Sequence, residues 1–202
     1  AERQLEEKLA SAVNTIEYTL VVGGYRSGKS QLLEYLSWMM RQGPNVLVVK
    51  HDFGARPRVW GILQTLGTAL MEASPSAEDQ DYVSNLALQL MELAKREIPE
   101  TDARYTALRA IEVARDYFDV IALHLDEFEK LRGEDVYPWI DFLTTLHDNI
   151  DSGLYVLLYI TGDDLRRLQA DRRMERLASY IREKIHLPGV YREYLPEAFG
   201  KI

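Results

Sequence analysis

The residues best suited to chemistry are Gly23-Gly24-Tyr25-Arg26-Ser27-Gly28-Lys29-Ser30, which satisfy G-x-x-x-x-G-K-[ST] in full. Glycines let the backbone curl, so that successive N–H groups converge on phosphate oxygens. The helix expected to start at Gly28 adds unpaired donors and a partial positive charge. Lys29 suits the β- and γ-phosphates, and the Ser30 hydroxyl suits Mg²⁺. The candidate nucleotide-binding segment is therefore Gly23, Gly24, Tyr25, Arg26, Ser27, Gly28, Lys29, Ser30 and Gln31.

Such a loop needs a carboxylate at the C-terminal end of a buried strand. The run Val120-Ile121-Ala122-Leu123-His124-Leu125-Asp126-Glu127 supplies two. Asp126 is the expected Mg²⁺ holder, directly or through water, and Glu127 the general base for an attacking water. The second acid favours hydrolysis over transfer to a small acceptor. His124 reads as a buried neutral histidine rather than a ligand.

A third apolar run, Leu154–Ile160, ends in Thr161-Gly162-Asp163-Asp164. Thr161 could contact the γ-phosphate or its attacking water, or the segment is a turn with Asp163 capping the next helix. Arg166, Arg167, Arg172, Arg173, Arg176 and Arg182 then crowd one stretch. Arg176 and Arg182 are candidates for a finger reaching a neighbouring subunit's site. Interleaved acids equally describe a salt-bridged, solvated helix.

The elements that must position these groups alternate. Apolar, strand-length runs fall at 17–22, 45–50, 119–125 and 154–160, with a short one at 184–187. Helical spacing predicts helices over 2–14, 28–41, 58–72, 77–97, 102–117, 139–149 and 163–182. Strands apolar throughout and alternating with helices make a parallel sheet wrapped on both sides, a three-layer αβα architecture, which together with the G-x-x-x-x-G-K-[ST] motif resembles a P-loop NTPase core. The chain has 202 residues, 47% hydrophobic, which is enough for one sizeable core.

With no cysteine, thiolate metal sites, disulfides and thiol nucleophiles are excluded. A net charge of −8 argues against a uniformly basic nucleic-acid binder. No apolar run approaches the roughly 20 residues of a membrane span. The charged segment Ala1–Leu9 has no secretory core, so a cytoplasmic protein with no membrane partner is expected.

One strand-like run lies between the loop and Asp126-Glu127, and this layout resembles the additional-strand catalytic-glutamate P-loop ATPases. Among them it resembles the AAA+ group, nearest its origin-recognition and STAND-like branch. GGYRSGKSQLLEYL, NVLVVKHDF and LYVLLYITGDDLRRL also resemble ATP-binding proteins of BREX-type phage-defence systems. The resemblance implies a five-stranded sheet ordered 5-1-4-3-2, with Thr161 in the position called sensor 1. It implies ATP bound with Mg²⁺ between subunits of a homo-oligomer or larger assembly, adenine near Arg3 and Leu5, and a helical lid. DNA enters as a partner through the resemblance alone, as does the preference for adenine. Residues 1–202 then read as an AAA+-like core with its C-terminal lid absent or truncated. Residues 58–118 form either a helical insertion for a partner or helices that cover the sheet.

Three functions follow: an ATPase that drives assembly or conformational change, a nucleotide-gated switch or scaffold with little hydrolysis, and a small-molecule kinase. For the kinase, Arg56, Arg58 and Trp60 would have to build an acceptor site.

Overall fold

The computed structural model describes residues 11–42, 45–73, 79–131 and 133–187. Its strands are β1 (Ile16–Val22), β2 (Val46–Asp52), β3 (Val120–Asp126), β4 (Leu154–Ile160) and β5 (Glu183–His186). They form one sheet in the order β2-β3-β4-β1-β5, with every pairing parallel. Counted from the β5 edge this is 5-1-4-3-2, the expected order. Because all strands run the same way, Val22, Asp52, Asp126 and Ile160 end along one margin, where ligands of open α/β sheets bind.

β1, β3 and β4 are buried almost throughout, as strands covered on both faces must be. Alternation sends Tyr18, Leu20, Leu47, Val49, Leu123 and Val156 to one face. There they share a core with α2 (Gly61–Glu72), α4 (Glu100–Ala114), α5 (Val136–Asn149) and the short α7 (Glu175–Tyr180). Helix α3 (Gln80–Lys95) packs mainly on α2 and adds Val83, Ala87, Leu90 and Ala94 to the same core. The other face carries Val21, Val48, Ala122, Leu157 and Tyr159 beneath α1 (Lys29–Gln42) and Ala12. The same parity places Asp126 on the α1 side of β3, level with the first turn of that helix.

Residues 11–14 are helical, the described part of the helix expected over 2–14. The helix expected over 163–182 is broken. It is α6 (Gly162–Ala170), a 3₁₀ turn Arg172–Met174, and then α7. At about 100° per residue, Leu165 and Met174 would face opposite sides of one straight helix. The extended backbone at Asp171 lets both pack on the core. Among the described residues, no helix is long and apolar enough to cross a membrane.

Candidate functional site

The glycine-rich loop leaves β1 at Gly23, whose N–H donates to Ile160 O at 3.1 Å and ties the loop to the tip of β4. Two residues take the left-handed region, Arg26 at φ 62° and Gly28 at φ 88°. Arg26 has no glycine's freedom there, so its conformation carries strain that the loop must hold. Its guanidinium lies 5.4 Å from the centre of the Tyr25 ring, which is exposed. The Lys29 ammonium is buried and donates to Gly23 O at 3.0 Å and Gly24 O at 3.2 Å. Ser27 is buried too, and its hydroxyl has no hydrogen-bond partner among the described residues. A buried cation and a buried free hydroxyl at a helix N-terminus suit an anionic ligand.

Across the loop, Ser30 Oγ donates to Asp126 Oδ2 at 2.9 Å. A hydroxyl and a carboxylate in contact at the mouth of the loop are hard oxygen donors of the kind that hold Mg²⁺ with several waters, so the residues fit that ion. A cavity of about 800 Å³ runs from Tyr25 to Gln31 and is bounded by Asp126, Glu127 and Glu129. That volume is within the range of small-ligand sites.

Among the described residues, Glu127 is one of three non-glycine residues outside the loop with positive φ, at 58°, the others being Asn45 and Glu97. Its N–H donates to Asp126 Oδ1 at 2.8 Å, and its carbonyl accepts from Lys130 N at 2.8 Å. This reversal drops Phe128 into the core against Phe53, leaving the Glu127 carboxylate at the strand tips. Burial raises the pKa of Glu127, and the neighbouring charges of Asp52, Asp126 and Glu129 raise it further against the opposing Lys130.

The tip of β2 was not singled out by sequence. Asp52 stands opposite Asp126 in the parallel register, and Phe53 N donates to Asp126 O at 3.1 Å. The turn beyond it brings Gly54 against the Glu127 carboxylate. Glu129 also borders the cavity, with one buried carboxylate oxygen lacking a partner among the described residues. No spacing rule marks Asp52 or Gly54, because their relation to Glu127 arises only when β2 and β3 pair. Glu129 lies two residues from Glu127 in sequence, and a third acid in that segment was the available signal.

Thr161 is the N-cap of α6. Its hydroxyl accepts from Asp164 N at 3.2 Å, and the Asp164 carboxylate returns to Thr161 N at 3.3 Å, a capping box. The cap is therefore Thr161, not Asp163, which pairs instead with Arg166. Thr161 follows Ile160, whose carbonyl holds Gly23, so it stands beside the loop. Arg176 pairs with Asp148 at 2.7 Å and donates to Tyr180 Oη at 2.8 Å. Arg182 N donates to Tyr18 O, and Tyr18 precedes Gly23 by roughly 16 Å of strand. Both arginines thus sit toward the far end of the sheet from this chain's own loop. Arg58 pairs with Glu100 and Asp135, Arg56 donates to Gln64, and Trp60 packs on the core. Arg3 and Leu5 lie outside the described residues.

No family model and no curated protein matches the chain. Solved structures do. The ORC2 protein of Aeropyrum pernix in its ADP form aligns with a TM-score of 0.61 at 19% identity, over 98% of this chain and 48% of that one. The same protein in ADPNP–ADP complexes gives 0.59 at 19% identity over the same shares. Drosophila ORC bound to AT-rich DNA and Cdc6 gives 0.58 at 15%, over 99% of this chain and 30% of that one. The chain has the fold of these proteins and spans about half the length of the archaeal one.

Proposed function

We propose that this chain is an ATP-binding module that hydrolyses Mg·ATP to drive an assembly or conformational change. The observation that carries the reading is the 2.9 Å contact between Ser30 Oγ and Asp126 Oδ2, which joins the phosphate loop to the acidic strand end. Gly23 to Gln31 would wrap the phosphates, with Lys29 exchanging its loop carbonyls for phosphate oxygens. Ser30 and Asp126 would hold Mg²⁺, which supplies neutralisation of charge on the β- and γ-phosphates. Glu127 would take a proton from the attacking water, and Thr161 would orient that water or the γ-phosphate. Arg176 or Arg182 of a second copy would complete the site in an oligomer. Residues 58–118 are proposed as a helical elaboration of the core. That one structural neighbour was solved with ADP and ADPNP, and another with DNA, supports nucleotide as ligand and DNA-associated assemblies as the setting.

A second reading is a nucleotide-gated switch with little turnover. It is favoured by the pairing of Arg176 with Asp148 and Tyr180 away from this chain's own loop, so that turnover would wait on a second copy. The two are separated by measuring ATP affinity and phosphate release for the wild type and Glu127→Gln. The hydrolytic reading expects unchanged affinity and at least a tenfold loss of turnover in the variant. Equal turnover in an active wild type removes Glu127 as base. Tight binding without turnover in assembled wild type selects the switch.

A further inference from the structure

The turn that follows β2 contains the unassigned feature with the clearest geometry. Asp52 Oδ1 accepts from Gly54 N at 2.6 Å and Ala55 N at 3.2 Å, while Arg56 N returns to Asp52 O at 2.9 Å. Phe53, between them, is fully buried and lies edge-on to both Phe128 and Trp139. The backbone of the turn is thus fixed from below by an aromatic anchor and from within by an Asx-type bond set.

A Cβ added at Gly54 would lie 2.1 Å from Glu127 Oε2, 3.0 Å from Asp52 Oδ1 and 3.4 Å from Glu127 Cδ. Gly54 is not among the glycines with positive φ, so the position does not require glycine for its backbone conformation. The missing side chain is used as space. The Glu127 carboxylate occupies the volume that any other residue's Cβ would fill. Its backbone, held left-handed at the end of β3, aims it there.

We propose that Gly54 is a positioning residue for Glu127: its bare Cα forms a notch that seats the carboxylate at the strand tips. This rests on the reading of Glu127 as the group that polarises the attacking water. The notch is made by one strand's turn and filled from the next, so it also registers the relative height of β2 and β3. The clash at 2.1 Å is with the far end of a flexible side chain and the tight contact at 3.0 Å with another, Asp52, so Gly54→Ala displaces the Glu127 carboxylate and leaves the fold in place.

The test is Gly54→Ala, with Gly54→Ser as a second variant, in the full chain. The expected result is a fall in kcat of tenfold or more, with KM for ATP and nucleotide affinity within about twofold and Tm unchanged. Glu127→Asp, shorter by one methylene, should cost less in the Gly54→Ala background than beside Gly54, because the shorter side chain clears the added methyl. An unchanged kcat overturns the proposal, and so does a parallel loss of kcat, affinity and Tm, which marks Gly54 as merely structural. If the wild type has no turnover, the hydrolytic reading fails by itself. The notch is then judged by a crystal structure of Gly54→Ala: a carboxylate moved off the β2 turn supports it, and one left in place rejects it.

Discussion

Each face of the sheet buries one histidine, and the two are held differently. His51, on the face covered by α2 to α5, has its Nε2 2.9 Å from Arg56 O and its Nδ1 3.0 Å from Thr65 Oγ1, with Phe53 and Trp139 around the ring. His124, on the α1 face, has Nδ1 3.0 Å from Tyr159 Oη and Nε2 3.3 Å from Met40 Sδ. Those partners assign the Nε2–H tautomer to both neutral rings, donating to a carbonyl in one and to a soft sulfur in the other. The contrast extends beyond the rings. Buried on that face are Glu17, Thr19 and Tyr155 of the strands and Ser37 of α1 itself, with Glu17 accepting from Ser11 and Thr15. The thick face is an apolar anchor. On the α1 face the sheet meets the helix that carries Lys29 and Ser30 through His124, whose Nε2 points at Met40 Sδ.

The largest expected effect is on stability in acid. Burial lowers His51 to about 4, with Arg56 and Asp52 as its charged neighbours, and lowers His124 to about 3, with Lys50 and Arg41 adding to the shift. The unfolded chain takes up these protons near 6.5 and the folded chain does not. The stability is therefore complete above that pH and is lost as pH falls, at about 1.4 kcal/mol per unit for each histidine. The loss continues to about 4 for His51 and about 3 for His124. Denaturant titrations between pH 7.5 and 5 check this. Replacing either histidine by Phe should reduce the slope by one residue's share, whatever it does to absolute stability. A slope unchanged in one variant would break the equivalence of the two sites.

Next comes the anchor itself. Trp139 is fully buried, contacts His51, Phe53 and Phe142, and donates from Nε1 to Pro57 O at 2.6 Å. Trp139→Ala should cost about 3–5 kcal/mol, from lost transfer energy and the cavity left behind. Thermal unfolding measures it. Nucleotide affinity of the folded fraction should stay within about threefold, because the loop helix lies on the other face. A large loss of affinity at unchanged Tm would mean that the two faces are coupled through the sheet.

How much of this was legible follows from where the information sits. The buried strands are local patterns, each found within about two residues of where its residues predicted, and the glycine-rich loop and Asp126-Glu127 stand at the ends of β1 and β3. The order of the strands is not local, and came from resemblance rather than from spacing. The break at Asp171 was invisible to a window that counts apolar residues, since Leu165 and Met174 satisfy it only if the axis turns between them. Asp163 looked like a cap because it is an acid at a helix start. Thr161 holds the role because its extended backbone directs the hydroxyl at Asp164 N. Gly54 carried no signal, because its neighbour Glu127 is brought to it by pairing between β2 and β3. Arg58 looked free to meet a substrate but is taken by Glu100 and Asp135, from two helices distant in sequence.

The smallest effect is the sharpest probe of the α1 face. Ser37 is 2% exposed, and its hydroxyl has no hydrogen-bond partner among the described residues. A buried hydroxyl left unpaired costs about 1–3 kcal/mol of desolvation, and alanine removes that cost while raising helix propensity. Ser37→Ala should therefore stabilise the protein by about 1 kcal/mol in denaturant titration, against the destabilisation usual for buried substitutions. If the polar contacts under α1 serve only to hold the helix, the gain comes without change in ATP affinity or turnover. If they leave α1 room to shift as the loop closes on phosphate, the stabler variant should turn over more slowly at the same affinity. A loss of stability would show that the hydroxyl is satisfied in solution, and the α1 face would then be as fully bonded as the one that holds His51.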